Sequence, residues 1–270
     1  MICVAGLFCR NDRTHSVSAP LTTWDRPRFE AGGGDAFLFF VLYGEFAAAE
    51  KVSRVEYRTD GWPAGVEVQR VRRDGQGLLP FHTGEMARVA RADNPEAFAQ
   101  AQDAQECLVV QGTVRDPSTL NYLRDVIGMI GWWFDHGAIA ALDTLRFKFY
   151  DPVEWWLDLF APLPPRLLNH LVLLGSSSSG GPGLRTRGLR KFGRPDLLLR
   201  GFDSELEGAM VEMFQRMILF QAEGGVIQEG QAISFAGLPD GFTCHHGGKL
   251  EDPEFNNAHV EIRRPGTYSF

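Results

Sequence analysis

Residues 107–150 read CLVVQGTVRDPSTLNYLRDVIGMIGWWFDHGAIAALDTLRFKFY, and the order of their apolar patterns sets the fold. The opening run, CLVVQGTV, is short, apolar and rich in β-branched residues, the signature of a buried strand. Asp116-Pro117 then reads as an N-cap followed by proline at the first helical position. Leu120, Leu123, Ile127, Ile130 and Phe134 recur at spacings of three and four, with Val126 and Trp133 widening the stripe, so the next element is a helix that must bury one face. Gly137 suits its left-handed terminator. Beyond it, residues 138–142 and 145–150 are two apolar stretches around Asp143-Thr144, the pattern of a hairpin.

Working outward, the apolar run at residues 36–43 predicts a strand, approached by a flexible stretch that ends in Gly32-Gly33-Gly34. Residues 1–9, MICVAGLFC, read as a first strand, because no basic segment precedes the apolar run as in a secretory signal. Weak alternation predicts another strand at 52–58, before the turn signal Asp60-Gly61-Trp62-Pro63, and the Ala/Gln/Asp/Glu composition of 94–106 favours a short helix. Asp151-Pro152 opens a short helix over 153–160.

In the second half, the apolar run 167–174 leads into GSSSSGGPG at 175–183, which composition predicts to be a mobile loop. Ser204 and Glu207 stand at capping-box spacing ahead of a helical stripe of Leu206, Met210, Met213, Phe214 and Met217, which stops at Gly224-Gly225. Setting Gly137 beside Gly225 places Ile139 over Ile227, Leu145 over Ile233 and Phe147 over Phe235. The expected architecture is therefore α+β: a largely antiparallel sheet with helices packed on one face, in which a strand-helix-hairpin unit occurs twice. The halves divide at 1–160 and 161–270, as two units or as one continuous domain.

Composition excludes several classes. With 270 residues, 44% hydrophobic and 23% charged, the chain can bury a core and is not intrinsically disordered. A net charge of −7, from 27 basic and 34 acidic residues, argues against a nucleic-acid partner. No apolar stretch is long enough to cross a bilayer. Cys3, Cys9, Cys107 and Cys244 are scattered without paired spacing, which points to free thiols in the cytoplasm.

Three groups of residues carry candidate chemistry. His245, His246, His259 and Glu261 can converge if the strands around them pair, giving a zinc or iron site with an open position for water and hence a metal-dependent hydrolase; no HExxH motif accompanies them. The same histidines also fit a polar sheet face without any metal. Arg185, Arg187, Arg190 and Lys191 form a basic cluster in which Arg185 and Arg187 share a strand face and can clamp an anion; a charged, solvated hairpin has the same pattern. Trp132, Trp155 and Trp156 belong to two aromatic pairs in which only one member can face fully inward, leaving the other for an interface or a ligand wall.

The 175–183 run lacks the Lys and Ser/Thr of a phosphate loop and does not fit the GxSxG elbow of a hydrolase. The stretch Trp132-Trp133-Phe134-Asp135-His136-Gly137-Ala138-Ile139-Ala140-Ala141-Leu142-Asp143, followed by Asp151-Pro152-Val153-Glu154-Trp155, resembles a pattern in uncharacterised bacterial proteins described only as domains of unknown function. There a helix ends in Gly and is followed by a short apolar strand, an Asp and a later Glu-Trp. The resemblance implies a bacterial, cytoplasmic α+β protein and carries over no catalytic residue. The reading at this point is a binding or interaction protein, without cofactor, for an unknown protein or a small anionic ligand, with the metal-dependent hydrolase as the alternative.

Overall fold

The computed structural model describes residues 21–47, 51–74, 79–178, 181–252 and 256–264. The first strand expected at residues 1–9 lies outside the described residues, as do Cys3, Cys9, Ser179 and Gly180. The α+β class and the predominance of antiparallel pairing expected from the sequence are observed.

The first sheet is built on β1 (Ala36–Gly44), whose sequence AFLFFVLYG is apolar at nearly every position. A strand can carry such a run only if both faces are covered, and both are. Leu38, Phe40 and Leu42 face one core with Leu123, Val126, Ile127 and Ile130 of α3 (Asn121–Phe134). Val41 and Tyr43 face a second core with Ala87 and Ala90 of α1 (Gly84–Asp93) and Ala97, Phe98 and Ala101 of α2 (Pro95–Asp103). The expectation of helices on one face is thus corrected: the first sheet is sandwiched. Its order is β2-β3-β1-β4-β5, all antiparallel, with β2 (Val66–Arg72), β3 (Glu106–Val114), β4 (Ala138–Asp143) and β5 (Lys148–Tyr150).

The second sheet has the order β6-β7-β8-β11-β10-β9, from β6 (Val172–Ser178), β7 (Gly181–Arg187), β8 (Asp196–Leu199), β9 (Ala232–Ile233), β10 (Phe242–Lys249) and β11 (Asn257–Arg263). The β8 and β11 pair runs parallel. After α5 (Glu207–Ala222) the chain forms only the two-residue β9 where the repeat called for a hairpin like β4-β5, so the twofold unit is not present. Met210, Met213, Phe214 and Ile218 of α5 share one core with Leu197, Leu199, Val260, Ile262 and the α3 residues of the first sheet.

Four local expectations are also corrected. Residues 52–58 do not pair as a strand; they fold as turns against α3, where the Tyr57 carbonyl approaches so closely that a Cβ on Gly128 would lie 2.0 Å from it. Tyr57 Oη donates to Asp135 (2.8 Å), and Thr59 Oγ1 donates to the Asp125 carbonyl (2.9 Å), which binds this segment to the helix. Asp116 does not cap α3: the Leu120 N–H donates to the Trp24 carbonyl (2.7 Å), which delays the helix to Asn121, and Asp116 accepts instead from the Gly32 N–H. Ser204 and Glu207 form no capping box, because a 3₁₀ turn at Ser204–Leu206 precedes α5. Residues 175–178 and 181–183 belong to the β6-β7 hairpin, their backbones paired in register, so the expected mobile loop is largely strand.

The two sheets meet along residues 187–196, RGLRKFGRPD, where most of the charged groups are internal. Lys191 Nζ is paired with the Asp143 carboxylate, with side-chain exposures of 0% and 1%. Tyr122 Oη donates to the Lys191 carbonyl (2.6 Å). Arg26 donates to the carbonyls of Pro117 and Phe192 (both 2.8 Å). Asp196 accepts from Thr186 Oγ1 (2.8 Å), Asn257 Nδ2 (2.8 Å) and the Leu189 N–H (3.3 Å). Burial nonetheless pushes the Asp196 carboxyl up to about 6, against the pull of those donors.

Two outcomes follow from this seam. Lys191→Met strands a buried carboxylate, so it is expected to lower the urea unfolding free energy by about 3 to 5 kcal/mol, and Asp143→Asn added to it is expected to recover more than half of that loss. For Asp196, the folded state keeps a proton that the unfolded chain releases near pH 3.8. Its contribution to stability is therefore largest below about pH 4 and declines as pH rises to about 6. The stability difference between wild type and Asp196→Asn should fall across that window, and a difference independent of pH would refute the assignment.

Candidate functional site

Where the seam reaches the surface it opens into a cleft of about 610 Å³. Besides Thr113 of β3, three groups of residues line it. The first is the glycine strap Gly32, Gly33 and Gly34 with Asp35 and Phe37; the second is Arg190 with Gly193, Arg194 and Pro195. The third is Val226 and Ile227 with the ends of β10 and β11, including His246, Leu250, Asn257 and His259.

The floor is structural. Arg194 is buried, and its guanidinium donates to the carbonyls of Glu30 (3.1 Å), Gly193 (2.8 Å), Gly224 (2.6 Å) and Gly225 (3.0 Å). The strap crosses this guanidinium at Gly33, where a Cβ would stand 2.0 Å from Nη1. Glycine is required there by close approach. Gly32 is anchored by donating its N–H to Asp116 Oδ2 (2.6 Å), and Asp35 Oδ1 accepts from the Asp116 N–H (3.1 Å).

The wall charge comes from the 3₁₀ turn Leu189–Phe192. With three residues per turn, successive side chains point about 120° apart, so Leu189, Lys191 and Phe192 go inward and Arg190 is left at the cleft. The Arg190 guanidinium lies 4.2 Å over the Phe37 ring, and its Nη1 donates to the Asn256 carbonyl (2.8 Å) and Oδ1 (2.9 Å). Opposite, His246 Nε2 is 2.8 Å from the Ile227 carbonyl, so Nε2 carries the proton and donates. The His259 ring lies over Gly247 and Gly248, where a Cβ would come within 3.1 and 2.6 Å of its nitrogens.

Of the four candidate metal ligands, His246 and His259 reach this cleft. The strand pairing that was to unite them exists, with His245 opposite Glu261 and Gly247 opposite His259. His245, however, is taken by other partners: Nδ1 donates to Glu229 Oε1 (2.9 Å) and Nε2 accepts from Thr243 Oγ1 (3.0 Å). The His246 N–H and His245 together hold the Glu229 carboxyl below its ordinary range. Glu261 accepts from Arg263 Nε (2.9 Å). Among the described residues, no group of three or more His, Cys, Asp or Glu side chains gathers as a metal site.

The basic cluster does not form a surface clamp. Lys191 is paired inside the core, and Arg187 is buried with its guanidinium 4.0 Å over the Phe147 ring. Arg185 is half-buried on β7, and Arg190 alone of the four reaches the cleft. The tryptophans divide similarly. Trp132 and Trp155 are core, the latter donating Nε1 to the Ile127 carbonyl (3.2 Å), whereas Trp156 is 48% exposed on a ridge with Val153 and Leu157. Gly32, Gly33, Gly34, Asp35, Phe37 and Asn257 had not been singled out as site residues, although the triple glycine ahead of an apolar strand was a visible signal of close backbone approach.

No family model, no curated protein and no solved structure matches the chain. The cleft is therefore read from its own geometry. Gly33→Ala drives a methyl group into the buried Arg194 guanidinium, and we expect a loss of about 1 to 3 kcal/mol in thermal unfolding. A wild-type Tm for this variant would show that the strap does not rest on Arg194.

Proposed function

We propose that this chain is a binding protein for a small organic acid, held in the seam cleft with its acid group on Arg190 and its apolar body along Phe37, Val226, Ile227 and Leu250. One observation carries the reading. Among the described residues, the hydrogen bonds of Arg190 all run through Nη1, while Phe37 holds the guanidinium plane from below. The other edge of a planar fork suited to bidentate carboxylate recognition is thereby left for a ligand. The volume, about 610 Å³, falls in the range of small-molecule sites, roughly 300 to 1,000 Å³. Apolar walls with a few convergent polar groups are the usual make-up of such sites.

The net charge of −7 gives no long-range attraction for anions, so a local guanidinium has to supply the recognition. No described helix is long and apolar enough to cross a membrane. Cys107 and Cys244 are free, buried thiols whose ionisation burial pushes up to about 11, so neither serves as a nucleophile in this reading.

Calorimetric titration with 3-phenylpropionate tests the reading. We expect saturable binding that Arg190→Ala weakens by about ten-fold or more while the thermal transition stays cooperative. Absence of binding, or equal affinity in Arg190→Ala, would overturn it.

A further inference from the structure

We infer that the organic acid is an α-amino acid with an apolar side chain, recognised by both of its charges; this rests on the cleft being the ligand site. Asp35 and Phe37 stand two residues apart where the chain enters β1, and both line the cleft. Arg190 lies over the same Phe37 ring. A carboxylate and a guanidinium thus line the same cleft, the guanidinium over the ring of Phe37.

Among the described residues these two charges are not spent on each other. Asp35 accepts one hydrogen bond, from the Asp116 N–H, and Arg190 donates to Asn256. A plain organic acid seated on Arg190 would bring a second carboxylate into the cleft that Asp35 lines, and like charges repel. An ammonium on the carbon next to the acid group reverses that sign. It has three donors and no acceptor, and Asp35 supplies the acceptor it needs. Phe37, Val226, Ile227 and Leu250 offer dispersion contacts to an apolar side chain, beside the polar His246, Asn257 and His259 of the same cleft.

The experiment is a calorimetric comparison of L-phenylalanine, 3-phenylpropionate and 2-phenylethylamine, which share the aromatic body and carry both charges, the negative one or the positive one. The expected result is that L-phenylalanine binds about ten-fold more tightly than either single-charge probe. Asp35→Asn keeps the oxygen that accepts from Asp116, so it should lower L-phenylalanine to the affinity of 3-phenylpropionate without weakening the latter. Equal affinity of wild type for L-phenylalanine and 3-phenylpropionate, or an unchanged L-phenylalanine affinity in Asp35→Asn, would overturn the amino-acid assignment while the organic-acid reading stands. Failure of all three probes to bind would remove the cleft reading itself.

Discussion

The structure depends on a buried charge pair, Lys191 with Asp143, placed where the two sheets meet. Taking both ions out of water is expensive, and the attraction between them offsets that cost only while their geometry is kept. Asp143 is fixed from its own side, since Oδ1 accepts the N–H groups of Leu145 (3.1 Å) and Arg146 (3.2 Å) in the turn between β4 and β5. The ammonium must therefore come to it. This requirement brings the 3₁₀ turn at Leu189–Phe192 against the first sheet and aligns the second sheet behind it. The neighbouring charges are held by directed hydrogen bonds: Arg194 by four carbonyls, Arg26 by two close ones through its terminal nitrogens, and Asp196 by a hydroxyl, an amide and a backbone N–H. An apolar seam would hold the sheets together but tolerate several alignments, whereas matched charges and directed hydrogen bonds permit few.

The candidate site is a by-product of that seam. Arg190 and Lys191 are adjacent in sequence and have opposite fates, because the tight turn sends one to Asp143 and the other to the surface. The glycine strap is drawn down by Arg194 and Asp116, and in settling there it makes one lip of the cleft. Site and fold therefore share residues along their boundary. Changes at Arg194 or Gly33 reach the cleft through the scaffold, while Arg190 and Asp35 can be altered with less consequence for the core.

Legibility followed physical range. Strands β1 and β3, helices α3 and α5 and the β4-β5 hairpin were readable because burial imprints a period on neighbouring residues. Helix α1 was missed: Gly84–Asp93 is largely polar and buries little beyond Ala87 and Ala90. The Ser/Gly run at 175–183 was misread because composition describes local stiffness, and its pairing across the hairpin is a matter of register. The basic cluster was misjudged for a related reason. A sequence shows that Lys191 is charged, but its partner is 48 positions away, and only the fold reveals that the pair is dry. Of the site residues, Arg190 had been marked for an anion and His246 and His259 for a metal, and Asp35 had not been marked at all.

Strand β1 carries one more consequence. A strand with a wet face is kept in register by polarity, since a slip of one residue turns its apolar set toward water. β1 has no wet face, so the same slip would exchange Leu38, Phe40 and Leu42 for Phe39, Val41 and Tyr43 and expose little. What separates the two alignments is shape and one hydroxyl. The alanine-lined side toward α1 and α2 is shaped around Tyr43, whose Oη donates to the Pro80 carbonyl (2.8 Å), and on the α3 side that hydroxyl would be left without this acceptor. A slipped β1 would be compact and dry, and so would hide from whatever senses exposed apolar surface; its escape would require unpairing β3 and β4 together. Foldability in this chain is thus entrusted to the fit of individual side chains at its centre, where a general preference for oil over water gives no guidance.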